Sequence, residues 1–196
     1  YVTIYGTGFG SSTGSVYWFN ESLGYLALGD TNFPDACGDD FWHDTSITVK
    51  VPQTYLTDKK DAIQAISHKL FVQRADGVKS SYQDFVVLND VPGPSICQIS
   101  PSSGPAGTSV TLYGDHFGNA KGSVDFYSQK SASFGLWEND QISSVLVPTG
   151  SSTGPVSVKE SQQGYTSNSL NFFVGDCRQD ADLCQEGESC CTDGSC

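Results

Sequence analysis

The 196-residue chain has no methionine, three histidines and only ten lysines and arginines, and charged residues make up 16% of it. Long helices draw on Ala, Leu, Glu and Lys. A chain this poor in charge, with 21 glycines and abundant Ser and Thr, favours short strands and tight turns instead. Against the few basic residues stand 22 acidic ones, a net charge of −12. That charge repels nucleic-acid phosphate and anionic membrane surfaces, so neither is expected as a partner, and cations are the natural counterpart. No apolar run approaches the ~18 residues of a membrane span, so no membrane insertion is expected in this segment. No signal peptide opens the chain, and any secretion signal is expected upstream of residue 1 or already removed.

Seven cysteines are present, five of them in the last 20 residues at Cys177, Cys184, Cys190, Cys191 and Cys196. The tail has no Cys-x-x-Cys pair and no histidine. Disulfides are therefore expected ahead of a zinc site, and they place the chain in an extracellular or cell-surface setting.

The chain repeats itself. Val2-Thr3-Ile4-Tyr5-Gly6 returns as Val110-Thr111-Leu112-Tyr113-Gly114, Phe9-Gly10 as Phe117-Gly118, and Gly14-Ser15-Val16 as Gly122-Ser123-Val124. Trp42, Ile47 and Pro52 match Trp137, Ile142 and Pro148, and Phe85-Val86-Val87 matches Phe172-Phe173-Val174. Order and spacing are both kept, the mark of a duplicated unit. Within each copy the apolar residues alternate at period two: Val2 and Ile4, Val16 and Trp18, Ile47, Val49 and Val51, then Leu70 and Val72. The second copy answers with Val110 and Leu112, Val124 and Phe126, and Val156 and Val158. Short alternating strands separated by glycine turns predict an all-β protein of two tandem immunoglobulin-like sandwiches, with the tryptophans between the sheets.

The stretch Ile99-Ser100-Pro101-Ser102-Ser103-Gly104-Pro105-Ala106-Gly107-Thr108, followed by Val110 to Gly114 and Phe117-Gly118, resembles the opening of an IPT/TIG domain. Trp42 to Val49 and Thr153-Gly154-Pro155-Val156-Ser157-Val158 are similar to that family's middle strands. The resemblance implies the immunoglobulin-like fold shared by transcription factors, plexin-type receptors and bacterial surface proteins. The basic loops of the DNA-binding branch are missing. The expected organisation is a first sandwich over 1–90, a second over 91–175 and a cysteine-rich tail over 176–196. The second copy opens with residues 94–109, which have no counterpart in the first. The first sandwich therefore lacks a strand, to be supplied by a longer precursor or by a neighbouring subunit through strand addition. The tail spacing C-x6-C-x5-C-C-x4-C resembles the first five cysteines of a knottin framework. That likeness implies Cys177 with Cys191, Cys184 with Cys196, and Cys190 awaiting a sixth cysteine. A bridge between Cys37 and Cys97 is the further expectation, clamping the two modules.

An insertion in the first copy holds Asp30, Asp35, Asp39 and Asp40, with Asp44 just after. Clustered carboxylates on a loop suit Ca²⁺, the one cofactor considered, although the spacing is not that of an EF-hand and a solvated acidic loop is the competing reading. Phe19, Tyr25 and Phe33 of the same region are candidates for stacking on glycans or on another subunit. Asn20-Glu21-Ser22 is an N-glycosylation sequon. A second insertion, 53–67, reads as a short helix or a turn. Gly10-Ser11-Ser12-Thr13-Gly14 and Gly150-Ser151-Ser152-Thr153-Gly154 fit the hydrolase G-x-S-x-G pattern, yet each lies between strands with no helix following, and the three histidines lack metal-ligand spacing. No catalytic residue is assigned. The expected function is a structural or adhesive module of an extracellular assembly, partnered by other subunits or copies of itself, with a carbohydrate-binding module as the alternative.

Overall fold

The computed structural model describes residues 1–31, 37, 41–130 and 133–175, and every named element in it is a strand. In the first unit, β1 (Val2–Tyr5) pairs with β4 (Ser46–Val49). Facing this pair is a four-stranded sheet in the order β3 (Tyr25–Leu28), β2 (Ser15–Asn20), β5 (Ser67–Gln73), β6 (Gln83–Val86). The second unit, which also takes in Cys37, has a three-stranded sheet of β12 (Gln141–Leu146), β9 (Ser109–Asp115) and β7 (Ser95–Ser100). Its other sheet runs β11 (Gln129–Lys130), β10 (Ser123–Phe126), β13 (Gly154–Lys159), β14 (Leu170–Val174), β8 (Ser103–Gly104). The all-β immunoglobulin-like sandwich expected from the alternation is the fold observed.

Period two decides what goes inside. On β2, Val16, Trp18 and Asn20 are buried while Tyr17 and Phe19 stand on the other face. The first core gathers Val16, Trp18, Ile47, Val49, Leu70 and Val72, and the second gathers Val124, Phe126, Ile142, Val145, Val156 and Val158 at the matching positions. The second core has two members with no counterpart in the first, Ile96 and Ile99 of β7. These lie three residues apart, which in a regular strand would set them on opposite faces. A bulge at Cys97, where the register jumps from Ile96↔Gly114 to Gln98↔Tyr113, brings both inward.

Two repeated features hold the turns. A side chain at Gly14 would drive its Cβ into the carbonyl oxygen of Gln73, and one at Gly122 into that of Lys159, so both copies need glycine where strands approach closely. At the preceding turn Gly8 has φ +76° and its counterpart His116 has φ +59°, so histidine adopts a left-handed conformation that glycine enters without cost. The 53–67 insertion is a bridged turn, Thr54 opposite Ala62, that carries Tyr55 into the core.

Candidate functional site

The acidic insertion is the first place where chemistry was expected. Asp44 is taken up by the backbone: Oδ1 accepts from the N–H of Gly10 at 2.8 Å and Oδ2 from that of Gly8 at 3.4 Å. In the second copy Asn139 holds the same turn, its Oδ1 accepting from Gly118 at 3.2 Å. A neutral amide serves in the same place, so holding this turn does not require the carboxylate charge, and Asp44 acts here as a turn clamp. Trp42 completes the clamp by donating from Nε1 to Gly10 O at 3.1 Å, as Trp137 does to Gly118 O at 3.1 Å. Asp30 sits in a backbone bridge with Lys50. Asp35, Asp39, Asp40 and Phe33 lie outside the described residues, as do all five tail cysteines. Among the described residues no three His, Cys, Asp or Glu side chains are grouped to hold a metal.

The sequon asparagine is not a surface residue. Asn20 is 1% exposed, and its Nδ2 donates to Tyr55 Oη at 2.8 Å and to Gln64 Oε1 at 3.3 Å. Its Oδ1 accepts from the N–H groups of Ser22 and Leu23. In the structure the Asn20 amide is part of a buried hydrogen-bond network, and a glycan on Nδ2 would replace one of the hydrogens that serve it. Tyr55 Oη also accepts from Gln64 N at 3.2 Å and bonds His68 Nε2 at 2.8 Å, while His68 Nδ1 lies 3.0 Å from Ile66 O. Tyr25, 37% exposed, packs its ring edge-on to Tyr55 at 5.6 Å.

Aromatic residues gather instead on the outer face of the four-stranded sheet. Tyr17 lies opposite Leu28 on one side and Phe71 on the other, and Phe19 lies opposite Leu26 and Lys69. Tyr17 and Phe71 stack at 5.1 Å with 19° between planes, and Tyr82 meets Phe71 edge-on at 5.3 Å. The Nζ of Lys79 stands 5.1 Å from the Phe71 ring centroid, a cation–π contact. Beside this row, Lys69 and Asp84 pair at 2.6 Å. Tyr82 is 56% and Leu28 39% exposed. The same face of the second sandwich carries Asp125 opposite Ser157 where the first has Tyr17 opposite Phe71. Of the aromatics singled out from sequence, Phe19 shares this face; Tyr17, Phe71 and Tyr82 were missed.

Glu160 in the second sandwich shows what another acidic group does. Burial alone would raise its carboxyl pKa, but N–H groups of Tyr165, Gln162, Gln163 and Gly164 together hold it below the ordinary glutamate value. The bonds from Gln163 and Tyr165 measure 2.8 and 2.9 Å. A carboxyl depressed in the folded state contributes stability above its unfolded pKa, near 4.3 for glutamate, and that contribution is lost as pH falls through the lower folded value. We expect the thermal midpoint of the second sandwich to drop on acidification below about pH 4. Glu160→Gln should be less stable at pH 7 yet have a flatter acid limb. Parallel limbs in calorimetry would contradict the assignment.

Cys37 and Cys97 form the one disulfide among the described residues, with Cα atoms 5.4 Å apart and both residues buried. The bulge that places Ile96 and Ile99 inward occurs at Cys97 itself, freeing its side chain from the alternation of the strand.

Among known proteins, the chain is 32% identical over 111 residues to a cyclomaltodextrin glucanotransferase of Bacillus sp. (strain 1-1), a match covering 53% of this chain and 15% of that relative. It therefore spans a small part of that enzyme's length. A solved gamma-CGTase from alkalophilic Bacillus clarkii superposes over 88% of this chain and 20% of its own, with 23% identity and a TM-score of 0.38. A surface glycan-binding protein from Prevotella bryantii does so over 87% and 35%, with 17% identity and a TM-score of 0.34. Residues 94–174, which span the second sandwich, match the sequence model of the IPT/TIG domain family.

Proposed function

We propose that the chain is a non-catalytic module of an extracellular or cell-surface assembly, making its contact through the aromatic outer face of the first sandwich. The contrast between the two copies carries this reading. They share turns, core and clamp, yet one places Tyr17, Phe71 and Tyr82 on the face where the other has Asp125 and Ser157. Where the strands β2 and β5 align with β10 and β13, an apolar, aromatic outer face in one copy against a polar one in the other is the kind of difference that a contact surface makes. The polar groups with chemical potential are engaged in the scaffold: Asp44 and Glu160 hold backbone N–H groups, and Asn20, Tyr55 and His68 hold each other. The Cys37–Cys97 bridge supports the extracellular setting.

The occupant of that face is another protein subunit in the structural reading and a glycan in the alternative. The alternative draws support from the relative, whose name denotes glucan transfer, and from the exposed Tyr82 ring, backed by half-buried Tyr17 and buried Phe71, beside the polar Lys69–Asp84 pair. Affinity electrophoresis through gels holding soluble starch or xyloglucan separates the two. Retardation of the wild-type chain that weakens about tenfold in Tyr82→Ala, worth about 1.4 kcal/mol, would establish the glycan reading. Unretarded migration in every gel, with self-association lost in the same variant, would establish the subunit reading. Turnover of a glycan by the chain would sink both.

A further inference from the structure

The chain has two Asp-Gly steps, Asp76-Gly77 and Asp193-Gly194, of which the second lies outside the described residues. Aspartate before glycine is open to isomerisation, because no side chain shields the glycine nitrogen from the neighbouring carboxyl carbon. Asp76 stands at the tip of the connection from β5 to β6, where Gly77 has φ +86°. Gln73 opposite Lys79 closes this turn, and Arg74 N donates to Val78 O at 2.9 Å. Three hydrogen bonds hold the groups that would react. Asp76 Oδ2 accepts from Arg74 Nη2 at 2.8 Å, Oδ1 accepts from Val78 N at 3.2 Å, and Gly77 N donates to Arg74 O at 2.9 Å. Nη1 of Arg74 is anchored in turn on Gly8 O at 3.2 Å. The pair stands in water, with the Arg74 side chain 41% and that of Asp76 50% exposed, so the restraint is weak. Ser15 faces Gln73 as Ser123 faces Lys159, which puts Glu160 at the place of Arg74. The turn after Glu160 has no aspartate before its glycine, Gly164, so the feature belongs to the first copy alone.

We propose that Asp76 is a site of spontaneous isoaspartate formation whose rate Arg74 restrains. The Gly77 nitrogen attacks Cγ of the protonated carboxyl, an N–Cγ bond forms and the bond from Cγ to its hydroxyl breaks. That hydroxyl leaves with the amide hydrogen as one water, and a cyclic imide remains. Solvent water then opens the ring. Attack at Cγ returns aspartate; attack at the main-chain carbonyl carbon breaks its bond to nitrogen and leaves the chain running through Cγ, as isoaspartate. Arg74 opposes the first step twice, since its guanidinium pins the oxygen that must leave and its carbonyl occupies the N–H that must be given up. Isoaspartate lengthens the turn by a methylene. The Arg74 to Val78 bond and the Gln73 bridge to Lys79 then lose register, and Lys79 is drawn from its place over Phe71. Only that last consequence touches the contact-face reading; the covalent step is read from its own product, so either result leaves the other standing.

The test ages the intact chain at neutral pH and body temperature, then counts isoaspartate in the tryptic peptide that ends at Lys79. Electron-transfer fragmentation distinguishes the two backbones, which have equal mass. Isoaspartate should accumulate in the wild type and about fivefold faster in Arg74→Ala, a change of about 1 kcal/mol in the barrier. Asp76→Glu should show none, because its longer side chain would have to close a larger ring. In the separated isoaspartate form, amide hydrogen exchange at Arg74 should quicken by about tenfold or more while that of Trp18 stays unchanged. Absence of isoaspartate from this peptide in the aged wild type would overturn the proposal. So would an equal rate in Arg74→Ala, or unchanged exchange at Arg74 in the isoaspartate form.

Discussion

Tyr55→Phe is expected to destabilise the first sandwich by about 3 kcal/mol, although it removes one oxygen and leaves the ring in place. The magnitude follows from how many groups that oxygen serves. Tyr55 is 2% exposed, and Asn20 and His68 are each 1% exposed. His68 Nδ1 lies within bonding distance of a carbonyl, Ile66 O, which can only accept; Nδ1 therefore carries the proton and Nε2 is left as an acceptor. The Tyr55 hydroxyl fills that acceptor while its lone pairs take the N–H groups of Asn20 and Gln64. Phenylalanine would leave His68 Nε2 and one Asn20 amide hydrogen without partners in a buried network, at about 1–3 kcal/mol for each group that stays unpaired, while the N–H of exposed Gln64 can turn to water. Urea unfolding followed by tryptophan fluorescence measures this directly, because Trp18 lies in the same core. A loss below about 1 kcal/mol would mean that the network re-pairs, and that the hydroxyl is not its hub.

Cys97→Ser should cost more, about 4 kcal/mol. The Cys37–Cys97 bond joins residues 60 apart in sequence, and closing a loop of that length removes about 4 kcal/mol of chain entropy from the unfolded state. Both residues are buried, so the serine hydroxyl adds a desolvation cost of the same sign. Denaturant unfolding of the wild type with and without reductant gives the reference, and the reduced wild type should unfold with the variant. A shift under about 1 kcal/mol would indicate that the unfolded chain is already compact around this loop.

The strands were legible because alternation and duplication reinforced each other: Val124 and Val156 are read as core more securely once Val16 and Leu70 stand at the same places. The outer face was not legible by that route. Val16-Tyr17-Trp18-Phe19 is apolar throughout, and period two says only that Tyr17 and Trp18 oppose one another, not which of them meets water. The usable signal was the second copy, where Asp125 stands opposite Tyr17's position and marks that side as outward. The same comparison could have recovered the turn-holding role of Asp44, which its counterpart Asn139 shares. Asn20 was hidden for a different reason. A sequon is a local triplet, whereas its burial is decided by Tyr55 and Gln64, brought in by an insertion 35 residues and more away. At Cys97 the bulge breaks the two-residue period itself, so Ile96 and Ile99 could not both be placed inward from their spacing.

The bridge between Cys37 and Cys97 also fixes how the molecule would respond to a pull along its main chain. Tension passing through the sulfur atoms bypasses the residues between them, so β4, β5 and β6 carry no load even after their sheets have parted. At about 3.4 Å per extended residue, on the order of 200 Å of contour stays locked. Only the segment ahead of Cys37, with β1, β2 and β3, could be drawn out of the first sandwich. Oxidised, the module would yield as a short, stiff spring; reduced, it would pay out its full length.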